Sequence, residues 1–259
     1  MENNISSESI TSDLGTSFIG QRVIYYPSLT STMEMAKREG IAGAAGGTVI
    51  IADEQTAGRG RIKRAWLSPK GSISLSVILY PKAVCLPFFI MLASLAVFRT
   101  IEKVTGLKPE IKWPNDVLIG SKKVCGILIE SDVRKDKVNY AVIGIGLNVN
   151  LRLADFPDIS LIATSLSDEL GEEVSRLEIL RCLLVELEKL YLALPLSEHI
   201  FEEWRDRLVT LGKSIQVKSG NITHRGVAES VNQDGSLLLR KPDASLITII
   251  AGDIATLRE

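Results

Sequence analysis

Cysteine and histidine are scarce in this chain, at three and two residues among 259. Cys85, Cys125 and Cys182 lie far apart and form no Cys-x-x-Cys pair, and only His199 and His224 could join them. Such spacing argues against a disulfide framework and a zinc site, and fits a reducing compartment. An excess of charge of one sign is missing too: 30 Lys and Arg face 31 Asp and Glu, for a formal net charge of −1. No global field therefore draws the chain to nucleic acid or to a membrane surface. Residues 1–12 are polar and lack the apolar centre of a signal peptide. The longest apolar stretch, 84–98, is interrupted by Pro87 and Ser94; it is too short to span a bilayer and predicts a buried helix. Together these absences predict a cytoplasmic protein.

What is present is apolar side chain, 46% of 259 residues, enough to bury a core in one or two domains without covalent staples. Residues 1–20, rich in Ser, Thr and Asn, predict a loose arm with a short helix. Apolar and β-branched runs predict strands over 22–26, 48–52, 73–79, 110–113, 117–119, 123–132 and 139–147, with a charged turn at 134–137. Helical spacing predicts helices over 31–38 (stopped at Gly40), 87–104 (ending at Gly106), 163–170, 177–194 and 197–211. The last of these sets Phe201, Trp204 and Leu208 on one face. Past Gly212 the texture changes to short strands over 214–218, 226–231, 236–240 and 246–250, parted by turns at 219–221, 234–235 and 242–243. The division that follows is a mixed α+β domain at 1–211 and a small all-β barrel at 212–259.

Chemistry concentrates in a few segments. Gly58-Arg59-Gly60-Arg61-Ile62-Lys63-Arg64-Ala65-Trp66 places four cations in the eight positions 59–66 with no acid among them. Its glycines permit close backbone approach, its guanidinium groups suit carboxylate and phosphate, and Trp66 offers an apolar plate for a flat ring. The plainer readings are a solvated turn or a nucleic-acid patch, and no aromatic cluster flanks the loop to favour the latter. A loop of mutually repelling cations should order when an anion arrives. Lys112-Trp113-Pro114-Asn115-Asp116 reads as a sharp turn that aims an amide and a carboxylate into one space, suited to hydrated Mg²⁺ on a nucleotide or to nothing more than a β-turn.

Lys123-Val124-Cys125-Gly126-Ile127-Leu128-Ile129-Glu130 reads as a strand whose Gly126 hints at a ligand pressed against backbone. Gly144-Ile145-Gly146-Leu147-Asn148-Val149-Asn150 fails as a dinucleotide fingerprint, because position 149 is Val. Gly212-Lys213-Ser214 fails as a P-loop, because position 207 is Arg. Ser31-Thr32 opens a helix, where capping alone explains a hydroxyl.

Taken in order, these segments resemble the biotin protein ligases: the Gly-Arg-Gly-Arg-x-x-Arg-x-Trp loop with Glu54-Gln55-Thr56-Ala57 before it, Lys-Trp-Pro-Asn-Asp, Lys-x-x-Gly-Ile-Leu-x-Glu, and Gly-x-Gly-x-Asn-Val. The resemblance spans roughly residues 22–257. Lys63 departs from the glycine that stands at this place in the best-known bacterial members. The resemblance implies a class-II-synthetase-like biotinyl/lipoyl ligase catalytic domain followed by an SH3-like barrel. It implies biotin and ATP as substrates with Mg²⁺, a biotin carboxyl carrier protein as acceptor, and, weakly, a homodimer. The 21 residues before Arg22 are too few for the winged helix-turn-helix of the repressor-type members, so DNA binding is not expected.

By the same resemblance, Ser31, Thr32 and Gln55 bind the ureido end of biotin, with Gly58 and Gly126 offering close backbone. Arg59 and Lys123 meet the biotin carboxylate, and Arg59, Arg61 and Lys123 are catalytic. The nucleotide falls to Arg61, Arg64, Trp66, Lys112, Asn115, Asp116, Lys123 and Asn148, with Asp116 and Asn148 near the metal. The alternatives are a lipoate–protein ligase of the same fold and a non-enzymatic nucleic-acid-binding module built on the basic loop.

Overall fold

The computed structural model describes residues 5–135, 137–220 and 222–256, with the side chains of Lys63 and Thr256 also left aside. Expectations that touch residues 1–4, Asp136 of the 134–137 turn, Asn221 of the 219–221 turn, the character of Lys63 and the last residues of the barrel therefore lie outside the described part.

The chain opens with α1 (Ser7–Thr11), nucleated by a capping box in which Ser6 and Ser9 satisfy each other's backbone N–H. Ile10, Leu14 and Ile19 are buried in the main core. The expected loose arm is thus, over its described residues, a packed segment, because Ile5, Ile10, Leu14 and Ile19 are buried and Phe18 packs against the core. The carboxylate of Glu188 pins it, accepting the backbone N–H of Ser17, Phe18 and Ile19 at 2.6, 2.8 and 2.8 Å.

Then come β1 (Val23–Tyr26), α2 (Thr32–Ile41), β2 (Val49–Ala52), β3 (Ile73–Leu79) and α3 (Phe89–Thr105). Gly40 lies inside α2 and does not stop it; a Cβ there would come within 3.1 Å of the Tyr140 ring, so glycine serves close packing. α3 ends at Gly106, whose φ of +71° is the left-handed cap. A 3₁₀ turn at Ala83–Phe88 runs straight into α3, and the combined 23 residues are long and apolar enough to cross a membrane by length and composition alone. The expectation of a stretch too short for that is corrected, while the expected burial holds: from Phe89 to Ile101 most side chains are in the core.

Next are β4 (Glu110–Lys112), β5 (Asp116–Ile119), β6 (Lys122–Arg134), β7 (Lys137–Leu147), α4 (Leu166–Leu170), α5 (Arg176–Leu192) and α6 (Ser197–Asp206). Residues 163–165 are not helical, because Thr164 N–H bonds to the Lys123 carbonyl at 2.9 Å, and Ser165 caps α4. Likewise α6 stops at Asp206, because the next residues bond to β4: Ile111 N–H to Arg207 O at 3.2 Å and Val209 N–H to Ile111 O at 3.0 Å.

Seven strands form one sheet in the order β1-β2-β3-β7-β6-β5-β4, with β1 and β2 parallel and the other pairs antiparallel. On β3 the period of two is visible in the packing. Ile73, Leu75, Val77 and Leu79 join the main core with α3 and α5, while Ile78 packs with Met33 and Ala36 of α2 on the other face. Ser74 and Ser76 share that second face.

A five-stranded antiparallel sheet follows, from β8 (Ser214–Ser219), β9 (Ile222–Val231), β10 (Leu237–Arg240), β11 (Leu246–Ile249) and β12 (Asp253–Thr256), in the order β11-β10-β9-β8-β12. β9 begins earlier than its apolar residues suggest, and β12 is a strand the sequence reading lacks; it pairs with β8 along Asp253–Thr256. The inner residues Ile215, Val217, Leu237 and Leu239 belong to the same buried cluster as the core of the seven-stranded sheet. Trp113 of the Lys-Trp-Pro-Asn-Asp turn, 1% exposed, donates its indole N–H to Gly235 O at 2.8 Å and so ties the two sheets together.

Candidate active site

A cleft opens where the N-terminus of α2, the 55–66 loop, the first half of β6 and the end of β7 converge. Its lining includes Thr32, Gln55, Arg59, Arg61, Arg64, Trp66, Asn115, Asp116, Lys123 and Gly126. Asp253, from the small sheet, also lines it.

The loop is built as a tight hairpin: Gly60 N–H donates to Arg64 O at 2.8 Å and Trp66 N–H to Gly58 O at 2.9 Å. A Cβ on Gly58 would lie 2.4 Å from Trp66 O, so glycine lets the two arms meet. The hairpin lays Trp66 over the sheet glycines. A Cβ on Gly146 would fall 2.3 Å from the indole nitrogen, and one on Gly126 3.0 Å from the six-membered ring. Gly126 thus makes room for Trp66 and for the stem of Lys123, which corrects the reading of a ligand pressed directly on that backbone. The indole Nε1 is buried without a hydrogen-bond partner.

Each cation of the cleft has an oxygen partner. Arg59 meets Glu34 at 2.6 Å, Arg64 meets Asp253 at 2.6 Å, and Lys123 meets Asp116 at 2.6 Å. The Lys123 ammonium also stands 5.2 Å from the Trp66 ring. Arg61 donates to Asn115 Oδ1 at 2.9 Å and to Gly252 O at 3.4 Å. Burial pushes the Arg61 pKa down, against the pull of Asp253 and Asp116. Asn115 is aimed by Ile127, whose carbonyl takes its Nδ2 hydrogen at 2.8 Å. The Arg59 and Arg64 side chains are 58% and 66% exposed, so these pairs are worth about 0–1 kcal/mol each and yield readily to an incoming anion.

The opposite wall is polar and closed. Gln55 Oε1 accepts the Thr32 backbone N–H at 2.8 Å and the Thr32 hydroxyl at 3.2 Å, and Gln55 Nε2 donates to Ser74 at 3.2 Å. Ser31 lies behind Thr32, 2% exposed; it occupies the cap position of α2, but its hydroxyl makes no capping bond and has no partner.

Four of the residues singled out in the sequence lie outside the lining: Ser31, Gly58, Lys112 and Asn148. Lys112 sits on β4, and the buried Asn148 donates its amide to Thr164 O at 2.9 Å. Among the described residues no three His, Cys, Asp or Glu gather as metal ligands. With Asp116 held by Lys123, Asn115 by Arg61 and Ile127, and Asn148 by Thr164, the donors at hand do not fit a site in which protein ligands alone hold Mg²⁺. Glu34 and Asp253 were not visible in the sequence as site residues. Glu34 carries no motif, and Asp253 reaches the cleft only through the pairing of β12 with β8.

Residues 25–148 match the family described as Biotin/lipoate A/B protein ligase. Over 243 residues the chain is 38% identical to the bifunctional ligase/repressor BirA of Bacillus subtilis (strain 168), which covers 91% of this chain and 74% of that protein. The chain belongs to the biotin protein ligase family. It is also 32% identical over 212 residues to the biotin–[acetyl-CoA-carboxylase] ligase of Paracoccus denitrificans, covering 77% of this chain and 87% of that one. Among solved structures, the biotin protein ligase from Aquifex aeolicus in complex with biotin and ATP superposes with a TM-score of 0.79 at 28% identity, covering 92% of this chain and 100% of that one. The family fold expected from the motifs is the fold observed, and in this ligase the family's cationic loop closes against the C-terminal sheet through Arg64 and Asp253.

Proposed function

We propose that this ligase forms biotinyl-5′-AMP from biotin and ATP and passes the biotinyl group to a lysine of a biotin carboxyl carrier domain. The observation that supports this most is one cleft lined by Arg59, Arg61, Arg64 and Lys123 on one side and by the Thr32–Gln55 pair on the other. In the first step a biotin carboxylate oxygen attacks the α-phosphorus of ATP and pyrophosphate leaves. Two anions must approach each other, and the cations offset their repulsion while charge moves onto the leaving group. In the second step the acceptor amine attacks the acyl carbon and AMP leaves with the bonding pair.

The side chains divide the labour. Lys123 and Arg59 hold the carboxylate, and Arg61 and Arg64 take phosphate oxygens in exchange for Asn115 and Asp253. Trp66, over Gly126 and Gly146, excludes water that would hydrolyse the mixed anhydride. Mg²⁺ enters the proposal only as a counter-ion carried by the triphosphate, and no step is routed through it. A cytoplasmic location fits the unpaired state of Cys85, Cys125 and Cys182. A homodimer rests on the resemblance alone, and light scattering with biotin and ATP tests it.

The deciding experiment is pyrophosphate release on mixing the chain with biotin and ATP, followed by a mass increase on a carrier domain. No release above the rate without biotin overturns the proposal.

A further inference from the structure

The proton order along the polar wall is fixed at both ends. At one end stands the Thr32 backbone N–H, which can only donate; the atom 2.8 Å from it must therefore be the amide oxygen of Gln55, and Nε2 must face Ser74. At the other end stands the Pro69 carbonyl, which can only accept, and Ser72 spends its hydroxyl hydrogen there at 2.7 Å. Ser72 is then the acceptor of its 3.2 Å bond with Ser68, and Ser68 gives its hydrogen to that bond. The contact between Ser68 and Ser74 is in turn donated by Ser74. One direction runs through the whole relay: Gln55 to Ser74 to Ser68 to Ser72 to the Pro69 carbonyl.

A second branch meets it. Ser76 donates to the Thr32 hydroxyl at 2.9 Å, and that hydroxyl donates to Gln55 Oε1. Both acceptor positions of Oε1 are then filled. The four serines are each at most 1% exposed, so no water competes for these bonds. What remains free toward the cleft is one N–H of Gln55 and one lone pair of Thr32, a donor and an acceptor side by side.

We propose that Ser74 and Ser76 are positioning residues that hold this donor–acceptor pair in one sense, and that the wall thereby favours a cyclic urea over a cyclic guanidinium or a dithiolane ring. The inference rests on the reading of the cleft as a biotin site. A urea presents a carbonyl to the Gln55 N–H and an N–H to Thr32. The imino group of 2-iminobiotin presents a donor where the wall also presents a donor. The dithiolane of lipoic acid presents neither partner and leaves both wall groups buried and unpaired.

The test is the pyrophosphate-release assay with biotin, 2-iminobiotin and lipoic acid on the wild type and on Ser74→Ala, Ser74→Thr and Gln55→Glu. The expected result for Ser74→Ala is a biotin KM raised about tenfold, with kcat and the ATP KM unchanged and a reduced preference for biotin over 2-iminobiotin. Ser74→Thr, which keeps the hydroxyl, restores the preference. Gln55→Glu replaces the free N–H by an acceptor and turns the preference toward 2-iminobiotin. Unchanged preference ratios in a folded Ser74→Ala, or a parallel fall in kcat, ATP KM and melting temperature, overturn the positioning role. Should Ser74→Ala fail to fold, an unaltered preference in Gln55→Glu overturns it. A wild type that ignores biotin overturns the reading of the cleft instead.

Discussion

Lys123 shows how one residue's place in a strand decides its chemistry. Neighbouring Lys122 reaches outward to Ser160 O, while Lys123 turns into the cleft, 2.6 Å from Asp116 and beside the Trp66 ring. In the proposed mechanism, removing the ammonium leaves the two reacting anions without their shared counter-charge. Lys123→Ala is expected to cut adenylate formation by about 10²- to 10³-fold, the scale of one aimed electrostatic donor. Pyrophosphate release near the wild-type rate would remove Lys123 from the mechanism. The resemblance pointed to Lys123 rather than Lys122 through the register of its Lys-x-x-Gly-Ile-Leu-x-Glu motif, and the structure turns Lys123 into the cleft. Ser31 and Asn148 were less legible. A hydroxyl before a helix reads as a cap, yet the Ser31 hydroxyl is buried without a partner. Asn148 reads as a phosphate or metal ligand, yet its amide is engaged by Thr164, a partner from a segment whose path no local pattern gives.

At the scale of elements, the cationic loop is held by long-range pairs of modest worth. Its apex puts Ile62 at φ +53°, a left-handed conformation that a β-branched side chain resists. With Glu34 and Asp253 as the anchors, the loop should open often in the free protein. Trypsin is therefore expected to cut within 59–64, and biotin with ATP to slow that cutting. Equal rates with and without the substrates would sink the ordering idea. Asp253→Asn should speed cleavage of the free protein by no more than about fivefold, as befits a pair worth at most about 1 kcal/mol. The loop itself was readable from its glycines and charges, as β3 was from its buried run over 73–79. The ends of α4 and α6 were not, because Thr164 and Val209 bond to strands far away in the chain. Local propensity cannot see a partner 41 or 98 positions distant.

At the scale of the whole molecule, the first twenty residues show where composition misleads. Their polarity suggests a tether, but Ile5, Ile10, Leu14 and Ile19 enter the core, and Glu188 receives the chain where it turns toward β1. Burial raises the Glu188 pKa, but the backbone N–H groups of Ser17, Phe18 and Ile19 and the Ser17 hydroxyl outweigh it, and the net shift is downward. The unfolded chain then binds a proton at a pH where the folded one does not. Stability from this group is complete above the ordinary glutamate value, about 4.3, and is lost as pH falls through the lower folded value. Glu188→Gln keeps the shape but weakens these charge-assisted bonds, and should cost about 2 kcal/mol at neutral pH. It should also flatten the decline in stability between about pH 4.5 and pH 3, without abolishing it. Glu186, Asp234 and Asp243 contribute to the remainder and stay in place in the variant: burial raises the Glu186 pKa but Lys103, Lys189 and Arg99 together outweigh it, and hydrogen bonds from Ser236 and Ser245 lower those of Asp234 and Asp243. Urea melts of both proteins at pH 7 and pH 3 separate the two contributions. If the variant loses as much stability on acidification as the wild type, Glu188 does not hold the N-terminal segment through its charge.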